Sequence, residues 1–105
     1  MSLPFLIENE AAAELREAAK WYERRRFGLG DELLAAIDDA LAFIARWPQA
    51  GTPVPDVPPG LPFRRAPVRR FPYHVVYLEV SGAIRILAFA HDKRSPGYWL
   101  TRIVQ

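Results

Sequence analysis

The chain has 105 residues, half of them apolar and a quarter charged, with a formal net charge of +2. That length supports one packed domain without covalent staples, so residues 1–105 are read as a single unit. The absence of cysteine excludes a disulfide framework and thiolate metal sites, and two histidines, His74 and His91, are too few for a structural zinc centre. No metal or cofactor is therefore expected. No apolar run reaches the length of a membrane span and no signal-peptide pattern opens the chain, so the expectation is a cytoplasmic protein without a membrane partner.

Charge is distributed unevenly. Residues 1–50 hold six Lys/Arg against nine Asp/Glu, whereas residues 51–105 hold eight against three. A basic second half points to a polar partner, either nucleic acid or an acidic protein.

In chain order, Leu3 to Glu8 is a short apolar run that reads as a first strand. Asn9 is placed to cap a helix, and Leu15, Ala18, Ala19 and Tyr22 fall on one helical stripe. The run Arg24-Arg25-Arg26 suits the helix C-terminus, with a stop near Gly28. A second helix carries Asp31 and Glu32 in its first turn, places Leu33, Leu34, Ile37, Leu41 and Ile44 on a wide apolar stripe, and ends at Pro48. The Gly28-Leu29-Gly30 link between them makes a helical hairpin; it follows a helix and lacks the lysine and third glycine of a phosphate loop.

Six of the ten prolines fall in residues 48–62, which predicts a semi-rigid surface crossover. Three strands then follow. Phe63 to Phe71 carries Pro67, which argues for an edge or a bulge. Tyr73–Val80 and Ala83–Ala90 are joined by Ser81-Gly82, a hairpin link. Strict alternation sets Tyr73, Val75 and Tyr77 against His74, Val76, Leu78 and Val80 in the first of these. In the second it sets Ile84, Ile86, Ala88 and Ala90 against Arg85, Leu87, Phe89 and His91. Both faces are largely apolar, but the hairpin can cover only one. The uncovered face predicts a partner.

The overall expectation is an α+β fold: an N-terminal strand, a helical hairpin, a three-stranded antiparallel meander (β-α-α-β-β-β) and a short C-terminal tail. No Ser/His/Asp set can be assembled, and Asp38 and Asp39 point to different faces of their helix. Arg64, Arg65, Arg69 and Arg70 form two pairs on one predicted strand, so each face receives an arginine from each pair. His91, Lys93 and Arg94 lie just past the last strand, with Phe71, Tyr73, Tyr98 and Trp99 as rings able to stack on bases. A metal-free ribonuclease would need a base, an acid and a phosphate clamp, roles open to His91 and Arg94. A backbone-bonded histidine and packing aromatics are the plainer reading of the same residues.

The stretches Ala11–Gly51, Arg69–Val80 and Ile84–Trp99 together resemble the RelE/ParE superfamily of bacterial type II toxins. The likeness rests on Trp21-Tyr22-Glu23, the Gly-Leu-Gly link, Phe71-Pro72-Tyr73 and the His-x-x-Arg-x-Pro-x-Tyr-Trp ending, in that order. It is greatest to the ParE-type, plasmid-stabilisation members. The resemblance implies a toxin inhibiting DNA gyrase, neutralised by a ParD-like antitoxin in a hetero-oligomer. Its alternative is a RelE-type, ribosome-dependent mRNA endonuclease. Target- or antitoxin-contact candidates are Arg64, Arg65, Arg69, Arg70, Tyr73, Lys93, Arg94, Tyr98 and Trp99, with His91 and Arg94 catalytic only in the nuclease case.

Overall fold

The computed structural model describes residues 3–55, 57, 58, 60 and 62–103. Its elements run β1 (Phe5–Ile7), α1 (Asn9–Arg25), α2 (Leu29–Arg46), β2 (Thr52–Pro53), β3 (Arg64–Pro67), β4 (Tyr73–Val80), β5 (Ala83–His91) and a 3₁₀ helix (Tyr98–Ile103). The strands form one sheet in the order β1-β5-β4-β3-β2. β1 is parallel to β5, and the remaining neighbours are antiparallel. The α+β architecture expected from the sequence is present. Its additions are the two-residue β2, which comes from the proline-rich crossover, and the 3₁₀ helix, which comes from the tail. Asp56, Pro59 and Leu61 of that crossover lie outside the described residues.

The helical hairpin packs on one face of the sheet. Leu33, Ile37, Ala40 and Ile44 of α2 bury against Val75 and Tyr77 of β4 and Ile84 and Ile86 of β5. Leu34, expected on the same stripe, is instead exposed, and Ala40 takes its place in the core. Asn9 does not cap α1. It is the first helical residue, and the cap position belongs to Glu8, whose carboxylate binds Arg85 instead.

The Gly-Leu-Gly link has a specific cause. Gly28 adopts φ +87° at the start of α2, and the amides of Gly28 and Gly30 both donate to the Glu23 carboxylate at 2.9 and 3.0 Å. Glu23 thus closes α1 and caps α2 with one side chain. A Cβ on Gly30 would stand 2.6 Å from the Ala19 carbonyl oxygen. Gly30→Ala must push the helices apart and should cost about 2 kcal/mol, read as a lowered urea midpoint with unchanged slope. The Ser81-Gly82 link has φ of 47° and 78°, the two left-handed residues that a tight hairpin with the native strand twist requires.

Two features of the fold set side chains on faces that strict alternation does not predict. First, β5 contains a bulge: Tyr77 pairs with Ile86 and Val76 with Ala88, leaving Leu87 as an extra residue. The bulge resets the alternation. Phe89 therefore joins Ile84 and Ile86 on the helix-covered face, and Leu87, Ala88 and Ala90 face the other way. His91, paired with Tyr73, follows Phe89 to the helix side.

Second, the far face of the sheet is not left bare. Val54 from the proline-rich segment, Phe63, and Trp99 from the 3₁₀ helix close over Val76, Leu78, Leu87, Ala88 and Ala90, and Val57, Leu100 and Ile103 pack around them. Trp99 is 1% exposed and meets Phe63 edge to face at 4.9 Å. The chain covers both faces itself, because a short 3₁₀ helix with one indole fills more area than its length suggests. The large apolar side chains left exposed are elsewhere: Leu6 and Ile7 on β1, and Trp21, Phe27, Leu34, Phe43 and Trp47 on the hairpin.

Candidate functional site

β1 pairs with β5 only as far as Ile86, so among the described residues the outer edge of β5 beyond that point has no strand beside it. Side chains take its place. The Leu87 carbonyl accepts from Arg102 at 2.8 Å, and the Phe89 amide donates to Glu14 at 3.2 Å. Arg102 and Glu14 face each other in a two-pronged ion pair at 2.9 and 3.0 Å, both mostly buried. The Tyr98 hydroxyl donates to the second Glu14 oxygen at 2.5 Å, and the Arg94 guanidinium lies 3.8 Å above the Tyr98 ring. One carboxylate on α1 thus ties together α1, the β5 edge and both ends of the 3₁₀ helix. Arg85 extends the cluster, binding Glu8 and the Arg102 carbonyl.

Beside this cluster runs a groove of about 640 Å³ between α1 and the end of β5. Glu10, Glu14, Glu17 and Trp21 line its helix side, and Tyr73, His91, Arg94 and Tyr98 line its sheet side. His91 accepts the Lys93 amide on Nδ1 at 3.1 Å and lies edge to face with Tyr73 at 5.1 Å, so its orientation is fixed by the local turn. Burial, then the hydrogen bond to Glu14, pushes the Tyr98 hydroxyl well above the usual tyrosine range, and burial raises Tyr22, Tyr73 and Tyr77 as well. A phenol held protonated next to a carboxylate is a donor in a fixed network, not a proton acceptor.

These raised values predict an alkaline limb. Above pH 10, the ordinary tyrosine value, the unfolded chain releases phenolic protons that the folded chain retains. The folded state then binds more protons, so stability falls as pH rises. Urea midpoints from pH 8 to 11 should decline, and Tyr98→Phe should make that decline shallower.

The remaining candidates are scattered. Arg64 and Arg65 do point to opposite faces. Arg64 donates to the Gly51 carbonyl at 2.7 Å and to Gln49 on the helix side, pinning the chain after α2, while Arg65 lies near Trp99 on the other side. The second pair is not on a strand: Arg69 and Arg70 occupy the β3–β4 turn, Arg70 with φ 70° and an ion pair to Glu32. Alternation therefore does not apply to them. Lys93 is exposed on the turn after β5, and Trp99 is core. Glu14 and Arg102 were not singled out from sequence, nor was the pair His74 Nδ1···Asp92 at 2.9 Å. Glu14 did carry a signal, because it lies three residues after Ala11 and four before Ala18, a carboxylate on the buried stripe.

A covered sheet carrying a helical hairpin, with a polar cluster sealing one strand edge and a groove beside it, defines a small α+β scaffold. Residues 5–96 match the family described as the ParE toxin of the type II toxin-antitoxin system parDE. The chain belongs to that family and is a ParE-type toxin. Among solved structures it is similar to the chromosomal ParDE TA system from P. aeruginosa, with TM-score 0.68 at 18% identity, covering 86% of this chain and 96% of the other. Among curated proteins none matches it. No helix among the described residues is long and apolar enough to cross a membrane.

Proposed function

We propose that this toxin inhibits DNA gyrase in the cytoplasm and is neutralised by a cognate ParD-like antitoxin in a hetero-oligomeric complex, with no metal or cofactor. The observation that carries the reading is the family match over residues 5–96. The surface supports an antitoxin independently. Trp21, Phe27, Leu34, Phe43 and Trp47 leave apolar area exposed along the hairpin, with Phe27 at 92%. The partner surface lies on the hairpin and β1, in place of the sheet face that sequence pattern suggested. Arg65, Arg69, Lys93 and Arg94, which make no ion pair among the described residues, are the target contacts in this reading.

A second reading, mRNA cleavage on the ribosome, is favoured by one observation: His91 and Arg94 line the same groove. Against it, His91 Nδ1 is taken by a backbone amide and Arg94 is stacked on Tyr98. Expression without antitoxin distinguishes the two. Gyrase inhibition predicts relaxed or cleaved plasmid with intact transcripts, and His91→Ala as toxic as the parent. Codon-positioned transcript cuts that vanish in His91→Ala would overturn it.

A further inference from the structure

Along the groove, α1 presents Glu10, Glu14, Glu17, Trp21 and Arg24 at alternating spacings of four and three, which sets them on one face of the helix. Glu14 turns inward to Tyr98 and Arg102, so the outward members are Glu10, Glu17, Trp21 and Arg24, with Arg25 beside them, all exposed. The sign of the charge changes midway along this face. Glu10 and Arg24 make no ion pair among the described residues, and Glu17 has only the exposed Lys20, 3.7 Å away. Arg25 lies over the Trp21 ring at 4.3 Å. Just past the helix, Phe27 stands almost wholly in water. Acid at the start and base at the end suit the helix dipole, but the dipole does not require two large rings to be left exposed between and beyond them.

A face that is acidic at one end, aromatic in the middle and basic at the other matches itself when turned end for end. The groove asks for an occupant with the same properties. Its apolar wall includes Ala13, Ala18, Tyr22 and Phe89, and its helix rim is the carboxylates of Glu10 and Glu17. Those carboxylates repel a nucleic-acid backbone or an acidic peptide. The chain's own Arg24 and Arg25, followed by Phe27, offer the cations and the ring that fit.

We propose that two copies of this chain pair through α1, antiparallel, about a two-fold axis. With Trp21 of each copy opposite Glu17 of the other, Arg24 and Arg25 fall opposite positions 14 and 13, between Glu10 and Glu17. The two Glu17 carboxylates then stand about one helical turn apart along the axis. Phe27 of each copy reaches the other's groove near Glu10 and Ala13, while Arg94 on the opposite bank is stacked on Tyr98. Every contact occurs twice, so the assembly closes at two copies. Pairing covers, in the free toxin, rings that an antitoxin would otherwise cover, and it stands whichever macromolecule the toxin acts on.

The test is sedimentation equilibrium of the full chain over a concentration series. The mass should rise from one copy to two and stop there, with a dissociation constant of roughly 1–100 μM. Glu10→Lys/Glu17→Lys and Arg24→Glu/Arg25→Glu, each first shown to keep the parental amide spectrum, should each weaken self-association by about tenfold or more. Mixed in equal amounts, the two variants should pair with each other at least as tightly as the parent, because one face is then wholly basic and the other wholly acidic. Phe27→Ser should weaken the parental dimer about tenfold. A parent that stays single throughout the series assigns the face to a different protein and overturns the proposal. So does a mass that climbs past two copies, since a two-fold interface closes. Reversal variants that dimerise like the parent, or that fail to pair when mixed, overturn the placement on α1.

Discussion

Glu14→Ala is expected to destabilise the fold by about 2–4 kcal/mol, a large fraction of the stability of a domain this size. The carboxylate accepts from Phe89, Tyr98 and twice from Arg102. Removing it leaves the Arg102 guanidinium, only 13% exposed, without its counter-charge, and leaves the β5 edge amide unpaired. Both are desolvated groups whose penalties add to the lost hydrogen bonds. The 3₁₀ helix should loosen first, because Arg102 and Tyr98 are its anchors to α1. Hydrogen exchange should therefore accelerate in residues 98–103 well before it does in β4. The double variant Glu14→Leu/Arg102→Leu should recover part of the loss, since replacing both charges removes the orphaned ion. Full additivity of the two single variants would show that the pair does not act as a unit.

Trp99→Ala should cost about 3–5 kcal/mol. The indole is 1% exposed and fills the space between Phe63, Val76, Leu87 and Ala90 on the far face of the sheet. No neighbouring element can collapse into the gap, because the proline-rich segment is stiff and the strands are fixed by their ladders. The variant should bind a hydrophobic dye that the parent does not, while retaining the helix signal of the hairpin on the other face. An unchanged thermal midpoint would mean that the 3₁₀ helix does not seal that face.

Periodicity in the sequence is enough to place both helices, because Leu33, Ile37 and Ile44 recur at helical spacing and Pro48 ends the run. β4 is equally plain, and Ser81-Gly82 marks its turn. The β5 bulge is not legible in the same way. Leu87 is an ordinary strand residue, and only the register against Val76 and Tyr77 makes it the extra one. That single residue decides on which face Phe89 and His91 lie, so strict alternation carried past Leu87 places both on the wrong face. The Arg69-Arg70 pair failed for a related reason: Pro67 ends β3 early, and residues beyond it turn.

Tail packing was invisible for a different cause. The Glu14–Arg102 pair joins residues 88 positions apart, and no local pattern encodes such a contact. Its one trace was a glutamate on the apolar stripe of α1. His74–Asp92 had no trace at all, since it depends on where β5 stops relative to β4. The uncovered sheet face from which a partner was expected is closed by Val54, Phe63 and Trp99, and the exposed rings are instead those of Trp21, Phe27 and Trp47.

Purified toxin added to purified gyrase and relaxed plasmid, with nicking and linearisation scored on the same gel, tests the proposed activity most directly. The account predicts that supercoiling is lost in a toxin-dependent manner, that linear DNA accumulates, and that prior addition of the cognate antitoxin restores supercoiling. Undiminished supercoiling at saturating toxin, in a preparation that still arrests growth when expressed, would contradict it.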